Sequence, residues 1–421
     1  MIRVLNYAIL LLCCAIVFVG CEQENLSPDI TEAAADLKPA SDEGNIIADQ
    51  YIFTFRPDVI AGARSYLDMN TIANREEKIR QMETYNAQVA AQIDDVLAQA
   101  GILPSAVIAK YTALEAGVAL KLDEATYTRF SANPAVAAVE YDRIVELPPF
   151  NVESIEGGGT GRAQTTPCAI NNAGGSVSAN QSRWAWIIDS GIDLDHPDLN
   201  VVTNGTYARS FVGGSANDCN GHGTHVAGIV GAKNNSFGSR GVAANAPVVP
   251  VRVFGCSGGS ASSTIINGIN HVATYDYPGD VANLSLGGYY GSGCSNNTPY
   301  RNPILSLGQG GTYVCIAAGN SSANTSYYAP GCVNGTRVYT VSSMTCGNSF
   351  SSFSNYNMNP VDYIATGSSV YSTYLNGGYA TLSGTSMATP VVAGICHARN
   401  AAPRKVGNVY NRGENYPIAK R

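Results

Sequence analysis

From about Cys168 to residue 400, short runs of Val, Ile and Ala alternate with stretches of small residues, and the runs show no polar alternation. A strand that is apolar on both faces has to be covered on both faces. The pattern therefore predicts an α/β domain with a buried, mainly parallel sheet. In open sheets of this kind, sites gather where strands end and helices begin. Three such joints stand out: Ala185–Ile188 reads as a strand ending at Asp189, Tyr313–Ala317 as a strand ending near Asn320, and Ser386 opens the helical run Met387–Ala398.

The chain before this domain has a different texture. Alternating Tyr51-Ile52-Phe53-Thr54-Phe55 predicts a strand, and Ile79, Met82, Val89, Ile93 and Val96 share one face of a helix over Ile72–Ala100. Val107–Leu122 and Ala135–Leu147 read as further strands, with a short helix near Glu124–Ser131. The order is strand, helix, strand, helix, strand, a small α+β unit over 49–147. Pro148-Pro149 and the glycine-rich Glu156–Gly161 mark 148–167 as a linker, and the acidic, aperiodic stretch 21–48 as a flexible tether. Arg3, the apolar run Tyr7–Val19, Gly20 and Cys21 predict an export signal over 1–20. The run is shorter than the roughly 20 residues of a spanning helix. It resembles a bacterial lipoprotein signal with Cys21 as the lipid-bearing residue, although Phe18 stands where such signals usually carry Leu. An ordinary secretion signal or an uncut anchor is the alternative.

Charge is sparse and unevenly placed. Residues 1–149 hold 11 Lys/Arg and 21 Asp/Glu, residues 150–421 hold 14 and 11, and the whole chain carries −7. The basic part has no Lys/Arg cluster and no stacking-aromatic motif, so nucleic acid is not the expected partner. The asymmetry instead predicts that the two parts dock on each other. Of the 11 cysteines, eight remain once Cys13, Cys14 and Cys21 are set aside, and an exported chain permits disulfides among them.

A serine hydroxyl becomes a nucleophile at neutral pH only when a neighbouring base takes its proton, and a third group has to hold that base in one orientation. Of five histidines, only His222 and His225 sit among glycines, in Gly221-His222-Gly223-Thr224-His225-Val226-Ala227-Gly228, where small residues let a substrate backbone come close. Ser386 lies in Gly384-Thr385-Ser386-Met387-Ala388-Thr389-Pro390, at a turn into a helix whose N-terminus favours developing negative charge. Asp189, in Ile187-Ile188-Asp189-Ser190-Gly191-Ile192-Asp193, ends a buried strand, where backbone donors can hold a carboxylate. His222-x-x-His225 is also spaced as a zinc pair, but no glutamate stands between the two and no third ligand is evident. His225 then reads as a structural neighbour, and His196 and His271 as surface or packing residues.

These motifs, in the order Asp, His, Ser, resemble the subtilisin family, closest to its proteinase K and aqualysin branch, over roughly residues 185–400. The resemblance implies a subtilisin-like three-layer α/β fold with a mainly parallel central sheet for 168–421. For 49–147 it implies a small α+β, ferredoxin-like propeptide that inhibits as a product-like tail. It makes Ser386 the nucleophile, His222 the base and Asp189 its orienting group, with Asn320 of Ala317-Ala318-Gly319-Asn320 and the Ser386 N–H as oxyanion donors. Ser285-Leu286-Gly287 and Ala317-Ala318-Gly319 would bind the substrate and wall a roomy apolar slot; neither carries an acid that would select basic residues. The resemblance also pairs Cys219 with Cys256. Cys332 with Cys346 is a second proposed pair, and Cys315, inside a strand, reads as a buried thiol. The proteinase K-like branch brings structural calcium with it, but Thr345 stands where those relatives carry an Asp ligand. Only 35 residues follow Ser386, and the tail Ala401–Arg421 has no familiar motif.

The expected protein is a self-processing serine endopeptidase that works through an acyl-enzyme on proteins or peptides and requires no cofactor. Its own propeptide would be its intramolecular inhibitor, cut off somewhere within roughly 147–166. It is expected outside the cytoplasm, held to a bacterial membrane through Cys21 in the periplasm or at the cell surface, with release as a secreted enzyme the alternative. The rivals are a catalytically silent binding module on the same fold and a general serine esterase.

Overall fold

The computed structural model describes residues 45–157 and 163–421. The expected signal 1–20, Cys21 and nearly all of the tether lie outside the described residues. Period-2 alternation explains the larger part of the molecule. In the strand Ala185–Asp189, Trp186 and Ile188 enter one apolar cluster while Ala185 and Ile187 enter another. Val249 and Val251 of Pro247–Arg252 join the first cluster, and Val248 the second. Both faces are thus covered, as a parallel sheet requires.

In spatial order, the sheet runs Arg404–Asn411, Glu414–Lys420, Val361–Thr366, Val338–Met344, Tyr313–Ala317, Val281–Leu284, Ala185–Asp189, Pro247–Arg252 and Asn200–Val201, with Arg209–Ser210 also pairing Pro247–Arg252. Every pairing is parallel except the final hairpin. The helices His222–Gly231 and Thr385–Arg399 pack against each other on one face. Helices Ser262–Tyr275 and Arg301–Gln309 cover the other. The tail without a familiar motif is that hairpin. It buries Tyr416 completely and pairs Ile418 with Ile364, completing the sheet edge.

The N-terminal unit has one strand more than its sequence predicts, in the order strand, helix, strand, strand, helix, strand. Its first strand is Ile46–Phe55, which begins inside the expected tether. Its long helix is Arg75–Gln99, started by Asn74, whose side chain accepts from the Glu77 N–H at 2.9 Å. The expected single strand over 107–122 divides into Val107–Tyr111 and Gly117–Lys121. At the break, the Ala113 N–H donates to the Asn270 side chain of the helix Ser262–Tyr275 at 3.1 Å, a contact no local pattern reveals. The strand Val136–Glu146 then takes Gly259–Ala261 as an added antiparallel strand, so the two parts share a sheet.

The helix Ser262–Tyr275 is clamped at both ends by the N-terminal unit. Asp142 accepts from Ser263 N–H (3.0 Å) and Ser263 Oγ (2.5 Å) at the first turn, where carboxylates are favoured. At the last turn, Lys78 Nζ reaches the Ala273 carbonyl (2.5 Å) and Asp276 (2.6 Å), Arg64 joins the same Asp276, and Arg75 pairs with Asp280 at 2.7 Å while its Nη1 bonds the Tyr275 carbonyl at 3.0 Å. The docking charge therefore runs opposite to the net charges of the two parts: cations come from the acidic N-terminal unit and carboxylates from its partner. Local pairs at the buried seam decide it, and the surplus acids elsewhere do not.

Among the described residues three disulfides are present, Cys168–Cys346, Cys219–Cys256 and Cys294–Cys332. The expected Cys332–Cys346 pair is corrected. Cys332 faces the short helix Cys294–Asn297, while Cys346, after the strand Val338–Met344, meets Cys168 at the start of the helix Cys168–Asn172. Cys315 and Cys396 are buried and free, and burial pushes the Cys315 thiol far up.

Candidate active site

Asp189 is the last residue of a central strand and is completely buried. Its Oδ1 accepts from the Ser190 N–H at 2.7 Å, and its two oxygens lie 2.8 and 3.0 Å from His222 Nδ1. His222 opens a wholly buried helix, so the imidazole is set by both a carboxylate and a rigid helix start. Close approach explains the glycines here: a Cβ on Gly223 would lie 2.1 Å from the Gly191 carbonyl oxygen, and Gly221 has φ 98° with the Tyr374 ring against it. The outer nitrogen of His222, Nε2, is buried and has no hydrogen-bond partner.

Asp218 was not singled out from the sequence, yet it organises this helix start. Its Oδ1 accepts from Asn220 N–H, Gly221 N–H and Ser190 Oγ at 2.9–3.0 Å, and its Oδ2 from Thr224 N–H (3.0 Å) and Oγ1 (2.6 Å). An acid a few residues before a helix was the available signal, since it satisfies N–H groups that the first turn leaves free. His225 is held elsewhere, its Nε2 lying 3.0–3.1 Å from the Ala380 and Val370 carbonyls. Burial holds its pKa down to about 3. Among the described residues, no three His, Cys, Asp or Glu side chains gather as a metal site would require.

Ser386 is the second residue of the helix Thr385–Arg399 and is buried. Its Oγ donates to the Ser285 carbonyl at 3.2 Å, and its own carbonyl accepts from Ser285 Oγ at 2.8 Å. Asn320 follows the strand Tyr313–Ala317. Its Oδ1 accepts from Thr385 N–H and Thr385 Oγ1, both at 2.8 Å. A backbone N–H can only donate, so the other end of that amide is the NH₂ group. That Nδ2 donates to the Pro149 carbonyl at 2.8 Å. The loop is braced by Asn355, which accepts from Ser321 and Ala323 N–H and donates to the Ala318 carbonyl.

The expected pocket residues separate into two groups. Gly287 and Gly319 line a cleft of about 290 Å³ together with Gly288, Tyr328 and the segment Glu146–Pro149. Ser285, Leu286, Ala317 and Ala318 lie behind it, buried; Leu286 packs into the core. The linker 148–167 is only partly a linker. Asn151–Glu156 forms a strand on Tyr379–Ser383, and Phe150 lays its ring 4.9 Å from that of His222. These contacts join residues more than 70 positions apart, which is why sequence spacing does not reveal them.

The subtilase family profile matches residues 186–404, just over half the chain. The chain belongs to the subtilase family. It is similar to "Alkaline serine exoprotease A" of Vibrio alginolyticus, 32% identical over 374 residues, which covers 88% of this chain and 63% of that protein. It is also similar to "Extracellular serine proteinase" of Thermus sp. (strain Rt41A), 35% identical over 286 residues, covering 68% of this chain and 66% of that one. The chain thus spans less than two thirds of the length of each. The crystal structure of a cold adapted subtilisin-like serine proteinase matches with a TM-score of 0.50 and 34% identity, covering 58% of this chain and 90% of the other. The fold is subtilisin-like, with the central sheet mixed only by its terminal hairpin.

Proposed function

We propose that this subtilase is the precursor of a serine endopeptidase that acts outside the cytoplasm and removes its own N-terminal unit. The observation that carries the reading is the buried Asp189–His222 pair, whose outer nitrogen has no partner. Such a pair holds the imidazole in the tautomer with a proton on Nδ1 and a free lone pair on Nε2, and it stabilises the imidazolium once formed. In this reading Ser386 gives its proton to His222 Nε2 and attacks a peptide carbonyl. Asn320 Nδ2, with the Ser386 N–H at the helix start, receives the oxyanion, His222 passes the proton to the leaving amine, and water releases the acyl group. No step draws on a cofactor. The substrates are proteins or peptides, and 49–147 is the intramolecular inhibitor. Casein digestion tests this: Ser386→Ala should reduce it to background, and a variant digesting casein at the wild-type rate would reject the assignment.

Export with a lipid on Cys21 is part of the same proposal, supported by the apolar run Tyr7–Val19 ending in Gly20-Cys21. Among the described residues no helix is long and apolar enough to cross a membrane. Cys21→Ala should move the protein from the membrane fraction to the soluble fraction with activity per molecule unchanged, whereas unaltered membrane retention would reject lipid anchoring.

A further inference from the structure

We propose that Pro149–Phe150 is the bond this site cuts first in its own chain. The inference rests on the endopeptidase reading and supplies what that reading leaves open within 147–166. Two ladders fix the register of the segment that crosses the site. On the acyl side, Ile144, Val145 and Glu146 pair with Ala261, Ser260 and Gly259, and the Leu147 N–H donates to the Gly258 carbonyl at 2.9 Å. On the amine side, Asn151–Glu156 pairs with Tyr379–Ser383, and Glu153 anchors it through Ser383 Oγ (2.5 Å) and Ser369 Oγ (3.0 Å). Packing does not hold this second strand, because Val152 and Ile155 remain 48% and 62% exposed; backbone pairing and Glu153 do. Pro148 and Pro149 carry no N–H, so the first ladder has to stop where it does.

Between the ladders lies one peptide group with the surroundings that cleavage needs. The Pro149 carbonyl accepts from Asn320 Nδ2 at 2.8 Å, the bond that strengthens as charge develops on that oxygen. The residue on the other side of the bond, Phe150, has its ring centroid 4.9 Å from that of His222, tilted by 43°, and the Nε2 of that histidine has no hydrogen-bond partner. A slip of one residue would take the carbonyl off Asn320 and turn the strand side chains to the opposite face.

The step balances without a co-reactant other than water. Ser386 Oγ leaves the Ser285 carbonyl, passes its proton to His222 Nε2 and bonds the Pro149 carbonyl carbon. The C–N bond to Phe150 breaks, with the nitrogen taking the proton from His222 and departing as the new N-terminal amine. Water then loses a proton to His222 and adds to the acyl carbon, and the ester bond breaks as Ser386 Oγ is reprotonated. The products are a carboxylate at Pro149 and an amine at Phe150.

The test expresses the full chain in an exporting bacterial host and identifies the earliest new N-terminus by mass spectrometry, for wild type and Ser386→Ala, with casein digestion measured on the same preparations. The expected result is a product beginning at Phe150 in the wild type, reduced at least 100-fold in Ser386→Ala. An earliest Ser386-dependent N-terminus at any other residue overturns the bond while leaving the endopeptidase reading intact, as does casein digestion by a chain that stays uncut. A Phe150 N-terminus formed equally in Ser386→Ala overturns self-cutting there. An uncut wild type that also fails on casein overturns both.

Discussion

Asn320 has its carboxamide oxygen tied to Thr385 by two 2.8 Å hydrogen bonds, so its NH₂ group is aimed before any substrate arrives. A donor fixed in this way adds little to ground-state binding and most to the oxyanion. Asn320→Ala should lower kcat about 10²- to 10³-fold, roughly 3 kcal/mol, with KM nearly unchanged. Steady-state kinetics on a peptide substrate checks this, and a change confined to KM would make Asn320 a binding residue. At this scale the sequence was informative where a side chain stands inside a compact motif, as Asp189, His222, Ser386 and Asn320 do. Asn355 and Phe150 act through partners on other elements, and no short motif marks them; Asp218 was marked only by standing a few residues before a helix.

Elements were legible where the apolar period is strong. The buried strands and the helix Thr385–Arg399 follow their patterns, whereas the helix His222–Gly231, buried on every side, shows no apolar period, the division of 107–122 depends on Asn270 and the strand Asn151–Glu156 on an exposed sheet edge. The strand Val136–Glu146 carries a consequence for pH. Glu140 on it accepts from Tyr290 OH at 3.0 Å across the seam. Burial raises its pKa to about 7 from an ordinary 4.5, against the opposing pull of the Tyr290 hydrogen bond and Arg143. While docked, this carboxyl keeps its proton to higher pH than when free. Its support for docking is therefore complete below about pH 4.5 and lost as pH rises through about 7. Asp142, raised by burial, acts in the same direction. In the cut but associated protein, dissociation of the N-terminal unit should increase on the order of 10²-fold between pH 4.5 and 7.5. Glu140→Gln should flatten much of that dependence in size-exclusion profiles, and an equally steep profile would remove Glu140 from the effect.

For the whole molecule, net charge proved a poor guide to how the parts meet. The N-terminal unit is acidic in total, yet it offers Arg64, Arg75 and Lys78 to Asp276 and Asp280, and sets Asp142 against the opposite helix end. Buried pairs act over a few ångströms, whereas a sum over the chain weights every exposed acid equally. The architecture, by contrast, was largely readable, because two-faced burial leaves a continuous apolar record in the strands. On the proposed mechanism, Ser386 is a nucleophile activated by His222. The direct measurement is the reaction of the processed protein with a fluorophosphonate, mapped by peptide mass spectrometry. A single covalent adduct on Ser386, lost in Ser386→Ala and slowed at least 100-fold in His222→Ala, is the predicted result; an adduct on another serine, or none from protein that digests casein, would contradict it.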